Sequence, residues 1–150
     1  MTGKADFTQQ EWELVLKGPP TAGMIVVTAG RGGTIRETFA IAKAYVEARQ
    51  QHGESQLLDE LVAAKPQMDH TRYHSAEELR QHGLQHLRDA VDLLERTATP
   101  DEVESYTQFV LTLADKVASA HREDGVNISE AERAAIDEIA AILRAAGREP

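Results

Sequence analysis

The sequence predicts an all-α protein, a single domain over residues 1–150 built as a bundle of about seven helices. Three observations carry this. Five Ser/Thr-x-x-Glu capping boxes punctuate the chain, each heading a segment with apolar residues three and four apart. No segment shows the period-two alternation of a half-buried strand, and the β-branched run Ile25-Val26-Val27 is short and has helical flanks. The chain is also long enough for one core: with 150 residues and 41% hydrophobic content, it buries roughly 68–70% of its unfolded surface.

A capping box pairs two backbone donors that a helix start leaves without partners. The first box joins Thr8 to Glu11. Phe7 before it and Trp12 within it have the spacing of a hydrophobic staple, and residues 1–7 read as a flexible N-terminus. Gly18, followed by Pro19 and Pro20, predicts the end of this helix. A second helix is expected from Pro20, since proline is tolerated at the first helical position. It carries Met24, Val26 and Val27 and ends in the loop Gly30-Arg31-Gly32-Gly33.

The third helix starts at the box Thr34 to Glu37 and runs to about residue 51, ahead of Gly53. Its inward positions are read as Ile35, Phe39, Ala42 and Val46, with Tyr45 beside them. A short fourth helix covers 56–64 and stops before Lys65-Pro66. Residues 66–74 read as a loop. The fifth helix follows the box Ser75 to Glu78, runs to about residue 96 and contains Gly83. Thr99 and Glu102 box the sixth, with Pro100 at its first position and the seam Val103, Tyr106, Val110, Leu113, Val117. The seventh follows Ser129 and Glu132, turns Ile136, Ile139 and Leu143 inward, and ends near Gly147.

Composition narrows the function. The absence of cysteine excludes disulfide frameworks, thiolate zinc sites and cysteine nucleophiles. Sixteen basic against 25 acidic residues, a net charge of −9, argue against nucleic-acid partners, which demand a basic footprint. The surplus concentrates late: from Asp101 to Pro150 there are eleven acids and five bases. That surplus reads as a solvated face suited to docking a basic partner. No apolar run approaches the ~18 residues of a membrane span, and the opening residues lack a signal peptide's apolar core. The expected location is therefore cytoplasmic.

Two stretches echo one another, 23–51 and 114–147. Each reads as helix, loop, capped helix, with Ala40-Ile41 and Ala135-Ile136 at the same offset from the cap. Within the second, Ala118-Ser119-Ala120-His121-Arg122-Glu123-Asp124-Gly125-Val126-Asn127-Ile128-Ser129-Glu130-Ala131-Glu132-Arg133 resembles the signature of TerB-like tellurite-resistance domains. That resemblance implies an all-helical domain with two related helix–loop–helix units, acting in stress response. It further implies cation ligation by loop acids, with Asp124 at the loop aspartate, Glu132 at the helix-start glutamate, Glu123 beside them and Glu37 as the partner in the first unit. The first unit departs from the family pattern, because Ala29-Gly30-Arg31-Gly32-Gly33 carries no acid.

Read from residues alone, 121–132 fits no calcium loop. Placing Glu132 twelfth puts Gly125 fifth, and placing Gly125 sixth puts Ala131 twelfth. The plainer reading is a turn and a helix cap. A second candidate is the stripe His82, His86, Asp89 at i, i+4, i+7, a donor set that suits zinc or non-haem iron. The plainer reading there is a histidine at the core's edge, hydrogen-bonded across helices. Gly30-Arg31-Gly32-Gly33 precedes a helix start and could cradle an anion, but it lacks the spacing and lysine of a nucleotide loop. No nucleophile–base pair emerges. The expectation is thus a non-enzymatic helical module that works through a protein partner or a weakly held divalent cation. The alternatives are a metalloprotein built on the histidine stripe, and a self-associating helical scaffold.

Overall fold

A computed structural model of the chain describes residues 4–29, 35–50, 56–63, 75–123 and 130–146. Every regular element in them is helical: a 3-10 turn at Lys4–Asp6, then α1 (Gln9–Ala29), α2 (Ile35–Gln50), α3 (Gln56–Ala63), α4 (Ala76–Thr97), α5 (Pro100–Glu123) and α6 (Glu130–Ala146). No described helix is long and apolar enough to cross a membrane.

The described residues hold six α-helices, because the first two predicted helices are one. Gly18, Pro19 and Pro20 do not end α1 but lie buried in its middle. A proline inside a helix removes the hydrogen bond to the carbonyl four residues back, at a cost of about 3 kcal/mol. For Pro19 that carbonyl belongs to Val15. The Tyr106 hydroxyl of α5 donates to it at 2.8 Å. Tertiary contact thus supplies the partner that the local rule assumes is missing. Gly18 leaves room for this, since a Cβ there would overlap the Tyr106 hydroxyl.

The caps at three helix starts form as the spacing predicts. Thr8 N–H donates to Glu11 Oε1 at 2.8 Å and Glu11 N–H to Thr8 Oγ1 at 3.1 Å. The same exchange joins Thr99 and Glu102 at 3.1 and 3.2 Å. Glu78 N–H donates to Ser75 Oγ at 3.1 Å. Phe7 and Trp12 stack at 5.6 Å between ring centroids, the predicted staple. The boxes at Thr34 and Ser129 lie outside the described residues, as do 30–33 and 124–128 of the loops in the two matching stretches, while His121, Arg122 and Glu123, expected as loop, continue α5.

Helix α5 is the hub. It packs against each of the other five helices, while α1 packs chiefly on α4 and α5. Its predicted seam is its core face: Tyr106, Val110, Leu113 and Val117 are fully buried, and Val103 nearly so. Burial of one such aliphatic side chain contributes about 1.5–3 kcal/mol. Two interior glycines let neighbours approach closely. A Cβ on Gly83 would meet Ile25 Cδ1 at 2.8 Å, and one on Gly23 would meet both Ile41 and Leu113 at 2.9 Å. Arg80 ties α4 to α6 through Glu138.

Helix α2 presents a different face from the one predicted. Ala40, Ile41, Ala44 and Tyr45 are buried, whereas Phe39 is 67% and Val46 47% exposed, with Ala42 also exposed. Both sets share the three-four spacing, so periodicity alone did not choose between them. The face chosen is rich in alanine, which lets the backbone of α2 approach its neighbours.

Candidate functional site

A groove of about 560 Å³ runs along the outer side of α5, where α2 and α3 lean against it. Helix α5 supplies Asp101, Glu104, Ser105, Gln108, Phe109, Thr112 and Lys116. These stand at i, i+3, i+4, i+7, i+8, i+11 and i+15, one continuous face of the helix. At about 1.5 Å per residue the face is about 22 Å long. Ala44, Glu47 and Ala48 come from α2, and Leu58 and Asp59 from α3.

The floor is apolar. Phe109 lies 7% exposed, and its ring meets Tyr45 edge-on at 5.2 Å between centroids. Ala44, Ala48 and Leu58 continue that floor. Alanines four apart on α2 keep the wall low. The short α3 is held in place by Arg49, whose Nε donates to the Val62 carbonyl at 2.5 Å, pairing one of the last carbonyls of that helix.

The rim is acidic. Asp101 and Glu104 project from the first turns of α5 and are exposed, and Asp59 is half-buried on α3. Glu47 stands at the far end, where Lys116 reaches across from α5 and donates to its carboxylate. Among the described residues, four carboxylates thus face one ammonium around the groove. Exposed pairs are each worth about 0–1 kcal/mol. In an arrangement of this kind rim charges orient and steer, whereas apolar area contributes affinity.

The residues singled out in the sequence lie elsewhere. Asp124 is outside the described residues, and Glu123 closes α5. Glu132 sits in the first turn of α6 and is 1% exposed, at the end of the helix where the dipole favours a carboxylate. Glu37 falls in the first turn of α2. On α4, His82 and Asp89 are exposed and His86 is half-buried. His86 Nε2–H donates to the Leu14 carbonyl of α1 at 3.0 Å. Asp89 Oδ1 accepts from Gln85 at 2.8 Å. Among the described residues, no group of three or more histidine, aspartate or glutamate side chains is placed to hold a metal ion.

Sequence reasoning missed the groove because it is assembled from three helices. The one signal it gave was the acidic surplus beginning at Asp101, which held Asp101 and Glu104 but not Glu47 or Asp59. Compared with known proteins, the chain matches no family model, no curated protein and no solved structure.

Proposed function

We propose that the chain is a non-enzymatic helical module of TerB-like type that acts by docking a basic protein partner in the groove along α5. One observation carries the docking: an apolar floor of Phe109, Leu58, Ala44 and Ala48 is ringed by Asp59, Asp101, Glu104 and Glu47. A basic amphipathic segment complements both parts. Its apolar residues cover Phe109 and its lysines or arginines meet the rim. The TerB-like type and the stress-response context rest on the resemblance of residues 118–133 alone, as does a weakly held divalent cation at Asp124 and Glu132.

The groove's described lining has no histidine and its charges are nearly all of one sign, so its chemistry is recognition of a cation over a hydrocarbon surface. Helix-in-groove docking uses this division of labour, with apolar anchors on one face and charges at the margin. The test is a titration of isotope-labelled protein with a basic amphipathic peptide, followed by amide chemical shifts. The expected result is a saturable set of shifts confined to 44–48, 58–59 and 101–116. Shifts confined to other faces, or none at millimolar peptide, would overturn the reading.

A further inference from the structure

The groove's shape and charge together specify its occupant. Its lining follows α5 from Asp101 to Lys116, a straight track of about 22 Å at 1.5 Å per residue. A compact cation would use only one end of such a track. The charges are also divided between the ends. Asp101 and Glu104 stand at the N-terminal end of α5, the apolar Phe109 lies between, and Glu47 closes the other end. At that second end the rim already holds a cation, because Lys116 donates to Glu47. Both side chains reach solvent, Lys116 at 33% and Glu47 at 37% exposure, so the pair's attraction is screened and modest.

Resting on the docking reading, we propose that the occupant is an amphipathic helix of a partner protein, with two basic side chains about four turns apart on its apolar face, and that one of them displaces Lys116 from Glu47. Four turns is about 14 residues. That spacing places one cation over Asp101 and Glu104 and the other at Glu47, with the intervening apolar residues on Phe109. Lys116 then acts as a competitor built into the groove. It neutralises Glu47 in the free protein and lowers affinity for any partner that lacks a second cation at the right distance.

The probe is a helical peptide of about 18 residues, with one lysine near each end, about four turns apart, and two leucines between them on the same face. It is titrated calorimetrically into the full chain. Two counterpart peptides, each with glutamine in place of one lysine, and spermine are titrated in parallel. Lys116→Gln is expected to tighten the two-lysine peptide about three- to tenfold, and Lys116→Met, which keeps the aliphatic stem, should do the same. Replacing the peptide lysine that lies at Glu47, found by substituting each in turn with glutamine, should weaken binding to the wild type and have no effect on binding to Glu47→Gln. Binding that is unchanged or weakened in both Lys116 variants overturns the displacement while leaving the docking reading standing. Absence of peptide binding to wild type and Lys116 variants alike overturns the docking reading itself. Spermine binding as tightly as the peptide, and competing with it, overturns the helical occupant.

Discussion

The Tyr106 hydroxyl donates at 2.8 Å to the Val15 carbonyl, the acceptor that Pro19 leaves without its helical partner. Ninety-one residues separate donor and acceptor. This bond pins the middle of α1 to α5 and offsets the hydrogen bond that Pro19 removes inside a buried helix. Tyr106→Phe keeps the ring and strands a buried carbonyl. It is expected to destabilise the protein by about 1–3 kcal/mol, read as a lower denaturant midpoint with an unchanged slope. A loss under about 0.5 kcal/mol, the low end for a hydrogen bond's net worth, would show that the bond carries no net stability.

Tyr45 makes the opposite prediction. Its hydroxyl is buried and has no hydrogen-bond partner among the described residues, while its ring is held edge-on by Phe109. Tyr45→Phe removes an unsatisfied polar atom and keeps the ring contact. Stability should stay level or rise by up to about 2 kcal/mol. A marked loss in the same denaturant titration would mean that the hydroxyl has a partner.

Both tyrosines also set an alkaline limit. Burial pushes the Tyr45 hydroxyl well above its ordinary range, against a smaller lowering by Arg49. Burial, and then the neighbouring Tyr45, do the same to Tyr106. Each holds its proton more tightly folded than unfolded. Their contribution is therefore complete below the ordinary tyrosine value of about 10 and is lost as pH rises past it. Stability should fall above that point by about 1.4 kcal/mol per pH unit for each tyrosine. Tyrosinate absorbance from these two should appear only as helical circular dichroism disappears. Full titration of all the tyrosines in a still-folded protein would refute this.

Gly83 tests how closely α4 and α1 cross. Gly83→Ala should raise helix propensity by about 1 kcal/mol, yet the new methyl meets Ile25 at 2.8 Å and Thr21 at 3.0 Å. Overpacking of this kind costs about 1–3 kcal/mol, so a net loss is expected. Ile25→Val removes the atom nearest the new methyl and should recover part of it in the double variant. A stabilised single variant would show that the crossing is looser than described.

What was legible in the sequence was what neighbours in the chain decide. The Thr8, Ser75 and Thr99 caps involve residues three apart; the first and last form both bonds of the box, and Ser75 accepts one. The α5 seam was legible because Val103, Tyr106, Val110, Leu113 and Val117 recur at three-four spacing on one face. Gly18-Pro19-Pro20 misled because the rule for helix ends counts only local partners, and Tyr106 is not local. The face of α2 misled for a related reason. Phe39 and Val46 outweigh Ala40 and Ala44 in hydrophobicity, but close packing against α5 favours the small residues. The groove was illegible except for its acids on α5, since Glu47, Leu58 and Asp59 join them only through the packing of α2 and α3.

The most direct test of the docking claim is a calorimetric titration of a basic amphipathic helical peptide into wild type and into an Asp101→Lys, Glu104→Lys double variant. Both positions are exposed, so charge reversal leaves the core untouched. The groove predicts saturable binding to wild type that weakens with added salt, and a loss of tenfold or more, about 1.4 kcal/mol, in the double variant. Equal affinity for both proteins, insensitive to salt, would contradict it.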